Sequence, residues 1–272
     1  MTGDQHTTIY NQFLSDWKNA EPPVRPMKSE LVEIGKILAA QKGRAMVLGS
    51  TPEYRDLALG LGYETTALDI NPNMLSGMEE LMTQSAGSHN KKVVGDWNAM
   101  PFPDASFEYI LAEQSLNIVP MVERGSILSE CARVLTPGGI FFCKVMVIRS
   151  DFRQTVTACT EKFLKAESTL NDYTMCLMHA TDSDGYDETT GMLRFQDRAF
   201  IEQYVADGAL SPAVQRDHRR VYAAHYTDHH LYLLSEETTE QQLEARFTVD
   251  RIIRGIEFEM SKVMPIFVCK KR

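Results

Sequence analysis

Two acidic residues, Asp69 and Asp96, stand where predicted strands end, and both can accept hydrogen bonds from a ligand. A carboxylate at the position of Asp69 can accept both hydroxyls of a ribose, and it repels a 2′-phosphate. At the position of Asp96 a carboxylate can accept from an exocyclic amine, while the indole of Trp97 covers a purine face. In the structural alternative, Asp69 caps the following helix and Trp97 anchors a loop.

The loop after the first predicted strand is Gly49-Ser50-Thr51, and Pro52 then opens a helix. Gly49 allows the backbone to approach a ligand closely. The hydroxyls of Ser50 and Thr51, together with the free N–H groups of the helix start, can hold a carboxylate. The alternative is a plain strand-to-helix turn with no ligand.

Apolar runs alternate with helical segments along most of the chain. This pattern predicts an α/β fold with a doubly wound, mostly parallel sheet of seven strands. Ligands bind such a sheet at the carboxyl ends of its strands, where the strand order reverses. We therefore expect Gly49, Asp69 and Asp96 to share one edge. The predicted strands are 45–48, 65–70, 92–96, 107–112, 140–148, 247–253 and 264–269.

The chain divides into four predicted segments. These are an N-terminal lid (1–29), a ligand-binding core (30–149), a helical cap inserted between the fifth and sixth strands (150–244), and the closing strands of the core (245–272). The insertion is longer than a connecting helix requires. We expect this insertion to shape the site of a substrate that accepts a transferred group, or to form a homodimer contact.

The lid contains a proline-stiffened stretch around Arg25 that can fold over the core. A guanidinium at this position suits a carboxylate. Tyr10 and Trp17 are expected to belong to the same lid. In the alternative, the leader merely packs on the domain and Arg25 faces solvent.

The composition of the chain excludes several classes of binding partner. The chain has 272 residues and a net charge of -9, which argues against a broad phosphate-binding surface and hence against nucleic acid. No apolar run is long enough to span a bilayer, and the first residues do not form a secretory signal. The five scattered cysteines have no metal-ligand spacing, so we expect reduced thiols, a cytoplasmic location and no bound metal.

Five segments taken together resemble the class I S-adenosylmethionine-dependent methyltransferases, which have a Rossmann-like fold. The resemblance covers about residues 30–148, and the last two strands fit the closing hairpin of that family. Its most specific part is RVLTPGG at residues 133–139. The five segments are 47–49, 67–71, 95–97, 101–108 and 133–139.

The resemblance implies S-adenosylmethionine as the cofactor and assigns a role to each matching residue. Gly49 would approach its methionine part, Asp69 would bind ribose and Ile70 would pack on adenine. Gly95, Asp96 and Trp97 would frame the adenine. Four residues after the fourth strand would face the sulfonium and the substrate, namely Glu113, Gln114, Ser115 and Asn117.

One departure divides the functional hypotheses. The family usually carries two or three glycines in its first loop, whereas Ser50, Thr51 and Pro52 stand here. The first hypothesis is methyl transfer to a small-molecule acceptor, with Glu113 deprotonating the acceptor. Ser115 and Asn117 are the other catalytic candidates. Residues of the cap that can line the acceptor pocket are Tyr173, His179, His218 and Tyr226.

The second hypothesis is a non-methylating use of the same cofactor. The amine of the methionine chain would attack its own γ-carbon, releasing methylthioadenosine and forming azetidine-2-carboxylate. A third is a non-catalytic binding module. A dinucleotide-dependent oxidoreductase is disfavoured because GxGxxG is missing after the first strand.

Overall fold

The computed structural model of the protein describes residues 17–18, 20–40, 42–84, 87–152, 154–180, 186–194, 206, 208, 212 and 230–272. The main sheet in this part has seven strands, five of which are parallel, and helices connect most of these along the chain. The strands of the main sheet are β1 (Arg44–Leu48), β2 (Glu64–Asp69), β3 (Asn90–Val94), β4 (Phe107–Glu113), β5 (Leu135–Lys144), β11 (Phe247–Ile253) and β12 (Ile266–Lys271). Five short strands between β5 and β11 are β6 (Val147–Ile148), β7 (Tyr186–Asp187), β8 (Met192–Arg194), β9 (His230–Tyr232) and β10 (Leu234–Ser235).

Seven α-helices accompany the strands in the described residues. They are α1 (Lys28–Leu38), α2 (Pro52–Gly60), α3 (Pro72–Glu79), α4 (Met121–Val134), α5 (Val156–Leu164), α6 (Leu170–Ala180) and α7 (Glu236–Glu244). None of the helices in the described ranges is long and apolar enough to cross a bilayer.

The main sheet has the order β11-β12-β5-β4-β1-β2-β3. Strands β1 to β5 are parallel, and β12 runs antiparallel to both β5 and β11. The predicted doubly wound, mostly parallel sheet of seven strands is therefore confirmed. The order reverses at β1, which pairs with β2 on one side and β4 on the other, so a ligand-binding crevice is expected at its carboxyl end.

Alternation along β1 shows how the sheet is covered on both faces. Ala45 and Val47 pack into the cluster that contains α1 and α2, whereas Met46 and Leu48 pack into the cluster that contains α4 and α7. All four side chains are buried. A strand buried on both faces has a continuous run of apolar residues, and β1 could therefore be predicted from the sequence.

The RVLTPGG segment forms an irregularity in the ladder between β4 and β5. Leu135 pairs with Phe107 and Ile140 with Tyr109, so four residues of β5 stand opposite one residue of β4. A methyl group added to Gly139 would lie 2.9 Å from the carbonyl oxygen of Thr136 and 3.0 Å from that of Glu108. β5 therefore begins at Leu135, five residues before its predicted start, and it ends at Lys144.

The expectation that the cap is helical is only partly right. Its described part contains α5 and α6, but also a three-stranded antiparallel sheet, β7-β8-β9. The hairpin between β7 and β8 is closed by Asp187, whose carboxylate accepts from the Thr189 N–H and the Thr190 hydroxyl. Short strands of two or three residues have no periodicity long enough to read from sequence.

Crowding at Gly139 predicts a matched pair of stability changes. Gly139→Ala should lower the free energy of unfolding by about 1–3 kcal/mol, because the added methyl meets two backbone oxygens that cannot turn aside. A methyl group added at Gly125 in α4 meets nothing within 4 Å, so Gly125→Ala should raise the free energy of unfolding by about 0.5–1 kcal/mol. Urea titration of both variants tests this. Equal effects of the two substitutions would contradict it.

Candidate active site

Gly49, Asp69 and Trp97 meet at the carboxyl ends of β1 and β2. The N–H of Gly49 donates to the carbonyl of Leu68 at 2.8 Å, and its φ of +99° favours glycine. From the Cβ position of Gly49, Trp97 Cζ2 is 3.8 Å away and Asp69 Oδ2 is 4.0 Å away. The structure thus brings together three of the residues predicted to bind a cofactor.

Asp69 uses one carboxylate oxygen locally. Its Oδ1 accepts from the N–H of Asn71 at 2.8 Å, while Oδ2 lies beside Gly49. The cap of α3 is Asn71, whose side chain accepts from the N–H of Asn73 at 2.9 Å. Burial raises the pKa of Asp69 to about 6, against the lowering effect of the backbone N–H bonds. The helix-cap alternative therefore belongs to Asn71 rather than Asp69.

Of the residues after β3, Gly95 and Trp97 are held by the surrounding structure, whereas Asp96 is exposed. Gly95 is packed, since a methyl there would lie 3.0 Å from both Leu68 Cδ1 and Pro101 Cδ. The Trp97 indole N–H donates to the carbonyl of Leu68 at 2.9 Å, which fixes the ring next to the first loop. Asp96 Oδ1 accepts from the N–H of Asn98 at 2.8 Å in a local turn.

Two apolar side chains are exposed at this edge. Ile70 follows β2 and is 60% exposed, and Val94 ends β3 and is 57% exposed. Asp69 pairs with Val94 in the sheet, so the two apolar groups belong to neighbouring strand ends. Val94 was not among the predicted site residues, because an apolar residue at a strand end reads as part of the core.

The first loop is buried and incompletely hydrogen-bonded. Ser50 is 4% exposed and Thr51 is 8% exposed. Ser50 Oγ has no hydrogen-bond partner, and neither has Oε2 of Glu53 in the first turn of α2. Glu53 Oε1 instead accepts from the Arg25 guanidinium, which forms an ion pair with it. Arg25 is thus placed at this loop, as predicted, with an acidic partner that the sequence did not suggest.

The strap, residues 20–27, crosses from the cap to this loop. On the cap side, the N–H of Glu21 donates to Asn171 Oδ1 at 3.0 Å, and the Thr169 hydroxyl donates to the Pro22 carbonyl at 2.9 Å. On the core side, Gln114 Nε2 lies 3.4 Å from the Val24 carbonyl that accepts from it. The strap therefore lies over the carboxyl ends of the strands.

Of the other two predicted lid residues, the structure describes Trp17. Trp17 is 5% exposed and packs with Met74 and Met78 of α3, in a cluster that also contacts Val24 of the strap. Tyr10 lies outside the described residues.

Glu113, the predicted catalytic base, belongs to a buried cluster of four ionisable residues. Its Oε1 lies 2.8 Å from Lys144 Nζ, and its Oε2 accepts from the Tyr54 hydroxyl at 2.6 Å. Lys144 Nζ also lies 2.9 Å from Glu30 Oε2. The side chains of Glu30, Tyr54 and Lys144 are fully buried, and that of Glu113 is 2% exposed.

Burial sets the protonation of this ionic cluster (Glu30, Tyr54, Glu113 and Lys144). It raises the pKa of Glu113 to about 7, and nearby Glu30 adds to this while Lys144 opposes it. The pKa of Tyr54 is raised well above its usual value for the same reason, with the Glu113 charge as the next cause. Sequence reasoning missed Glu30, Tyr54 and Lys144, since each stands alone in an otherwise ordinary helix or strand.

The residues after Glu113 hold the loop itself. The Ser115 hydroxyl donates to the Leu48 carbonyl at 2.7 Å. Asn117 Nδ2 donates to the carbonyls of Met146 and Tyr232, and its Oδ1 accepts from the N–H of Met146 at 2.8 Å. Both side chains are almost fully buried. Gln114 has a φ of +54° and reaches the strap.

Two of the predicted acceptor-pocket residues are described. Tyr173 stacks on Phe163 with ring centroids 4.7 Å apart, inside the pair of helices α5 and α6. His179 meets Phe152 edge-on, and burial lowers its pKa to about 4, so the ring is neutral near pH 7. His218 and Tyr226 lie outside the described residues. Within the described ranges, no group of three or more His, Cys, Asp or Glu is placed to hold a metal ion.

Comparison with known proteins supports the fold and the core. Residues 48–143 match a family described as a methyltransferase domain. The ubiquinone/menaquinone biosynthesis C-methyltransferase UbiE of Nitrobacter hamburgensis is 38% identical over 87 residues, which cover 32% of this chain and 34% of that protein. The enzyme of the same name from Methylobacterium nodulans is 41% identical over 102 residues, covering 36% of this chain and 39% of that protein.

A solved structure shares the fold. It is the 1,6-didemethyltoxoflavin-N1-methyltransferase of Burkholderia thailandensis, with a TM-score of 0.56 and 12% identity, covering 100% of this chain and 91% of that one. The resemblance predicted from the sequence is confirmed over residues 48–143, which match the methyltransferase-domain family. The chain spans 34% and 39% of the length of the two curated relatives.

The raised pKa of Glu113 predicts a pH-dependent stability difference. A carboxyl whose pKa moves from 4.5 in the unfolded chain to about 7 binds its proton more tightly when folded. The folded state therefore loses stability as pH rises from about 4.5 to about 7. The glutamine of Glu113→Gln cannot titrate. The free energy of unfolding of the wild type minus that of the variant should therefore fall as pH rises over this range.

Urea unfolding of both proteins at several values between pH 4.5 and 8 measures this difference. Taking the difference removes the contributions of Asp69 and His179, which titrate in both proteins. A wild-type-minus-variant difference that stays constant across this range would rule out the raised pKa.

Proposed function

We propose that the protein is an S-adenosylmethionine-dependent methyltransferase that acts on a small-molecule acceptor. The observation that carries this is the meeting of Gly49, Asp69 and Trp97 at the reversal point of the sheet. Asp69 keeps Oδ2 beside the glycine, and Ile70 and Val94 are exposed next to it. A half-buried carboxylate beside two open apolar side chains suits a ribose attached to an aromatic base.

The residues present fit this cofactor. Asp69 would accept from the ribose hydroxyls, and Ile70 and Val94 would pack against the adenine. Gly49 admits the ligand close to the backbone of β1, with Trp97 beside it. Ser50 Oγ and Glu53 Oε2 are buried polar atoms without partners, and their free hydrogen-bonding capacity supports a polar ligand end at this loop.

When bound, the sulfonium group supplies an activated methyl carbon. The protein then has mainly to hold the acceptor in line with that carbon and to exclude water. Glu113 is already bonded to Lys144 and Tyr54, so we assign it to positioning the ends of β4 and β5 rather than to proton transfer. Ser115 and Asn117 similarly hold the loop after β4.

A small acceptor is supported by the cover over the site. The strap and the start of α6 are hydrogen-bonded to each other above the strand ends, and a covered site suits a small molecule. The family match ends at residue 143, so the cap lies outside it and the acceptors of the relatives are not carried over. A cytoplasmic setting is part of the proposal, because all five cysteines are unpaired and buried.

Replacement of Asp69 tests the ribose contact. Asp69→Ala should weaken binding of S-adenosylhomocysteine by about 1–3 kcal/mol, because a half-buried charged acceptor is lost. Asp250→Ala is the matched control, since Asp250 lies on the far edge strand β11 and is half exposed. Calorimetry measures both. Unchanged affinity in Asp69→Ala would remove this residue from the site, and no binding by the wild type would refute the proposed function.

Product analysis separates methyl transfer from cyclisation. With S-adenosylmethionine and a panel of small acceptors, we expect S-adenosylhomocysteine that forms only when an acceptor is present. Mass spectrometry of the reaction identifies the product. Methylthioadenosine released without any acceptor would instead indicate intramolecular attack and contradict methyl transfer.

A further inference from the structure

The ion pair between Arg25 and Glu53 has an unusual position. It joins the strap to the first turn of α2, immediately after the loop that begins at Gly49. Both side chains are mostly covered, with 26% of Arg25 and 16% of Glu53 exposed. The pair is therefore shielded from solvent far more than an ordinary surface salt bridge.

This ion pair leaves hydrogen-bonding capacity unused. Only Oε1 of Glu53 contacts Arg25, while Oε2 is buried without a partner. Ser50 Oγ, three residues earlier, is also buried without a partner. An unpartnered buried polar atom is destabilising, so two within four residues indicate a place that a polar ligand fills.

The position of these atoms follows from the proposed function, on which this inference rests. If Asp69 holds the ribose, the chain attached to the sulfur must leave the ribose near Gly49, whose loop continues to Ser50 and Glu53. That chain ends in an α-amino acid, which carries an ammonium and a carboxylate on one carbon. A guanidinium and a carboxylate held side by side present the two complementary charges.

We propose that Arg25 and Glu53 form a receptor for the zwitterionic amino acid end of the cofactor. The Arg25 guanidinium binds the ligand carboxylate, and the Glu53 carboxylate binds the ligand ammonium. The Ser50 hydroxyl donates to the ligand carboxylate. In the ligand-free protein the two side chains neutralise each other, so each exchanges its internal partner for one group of the ligand.

This arrangement explains how a loop without the usual glycines can serve the same ligand. A glycine-rich loop offers its backbone N–H groups to the ligand. Here Pro52 supplies no N–H, and charged side chains from two separate segments take over the recognition. The receptor is complete only when the strap is in place.

Three ligands and three proteins test the receptor. S-adenosylhomocysteine carries both the nucleoside and the amino acid end, methylthioadenosine carries only the nucleoside, and free methionine carries only the amino acid. Their dissociation constants are measured by calorimetry with the wild type, Glu53→Gln and the exchanged double variant R25E/E53R. The double variant keeps an ion pair between strap and α2 but reverses its polarity.

We expect Glu53→Gln and the double variant to bind S-adenosylhomocysteine about 10- to 100-fold more weakly than the wild type, as for loss of charged hydrogen bonds. Binding of methylthioadenosine should stay within about twofold, because it does not reach the pair. A thermal melt of each variant shows whether the fold is kept. Glu53→Gln preserves an acceptor for Arg25 and carries the test if the double variant does not fold.

The outcomes separate this inference from the proposed function. If the wild type binds S-adenosylhomocysteine and both variants bind it equally well, the receptor is refuted and the proposed function stands. Equal weakening of methylthioadenosine would show general damage and also refute the receptor. Tighter binding of free methionine than of methylthioadenosine would reassign the pair to a free amino acid. If the wild type binds neither nucleoside, the proposed function fails and the receptor with it.

Discussion

The carboxyl edge of the sheet depends on the ion pairs that the Lys144 ammonium forms. This ammonium is fully buried between Glu30 and Glu113, so α1, β4 and β5 meet at one charge. Removing one of these side chains would leave a buried charge without its partner in a medium of low polarity, which lowers the free energy of unfolding by several kcal/mol. The same carboxylates hold their neighbours: Glu30 Oε2 accepts from the Met27 N–H at the end of the strap, and Glu113 accepts from Tyr54 of α2. Strap and first loop are therefore aligned by one buried ionic cluster.

Much of the core was readable from sequence because its signals are local. A strand covered on both faces gives an unbroken apolar run, and the residue that follows it falls at the ligand edge by topology alone. Gly49, Asp69 and Trp97 could therefore be placed at this edge from the sequence alone. The short strands of the cap were not readable, since β8 depends on pairing with the distant residues of β9, such as Met192 with Tyr232, rather than on a pattern of its own.

Side-chain partners were harder to predict than strand positions. Ser115 and Asn117 have residue types that suit a ligand, yet they satisfy main-chain groups left over where β1 ends and after β5. Buried backbone groups must find partners, and a nearby hydroxyl or amide is the usual solution. Glu30 and Lys144 pair across 114 residues, a separation at which neither periodicity nor motif carries information. Arg25 was predicted to meet a carboxylate, but that of Glu53 is one the chain itself supplies.

The strap is fastened at both ends to different parts of the molecule. Glu21 and Pro22 are bonded to the start of α6, while Val24 and Arg25 are bonded to the end of β4 and the start of α2. Displacing the cap therefore pulls on the segment that covers the first loop. Under the proposed function, opening of the cofactor site and movement of the cap are coupled through the strap. The kinetic consequence is an ordered mechanism, in which one ligand has to be seated before the strap can close over it and complete the place of the other.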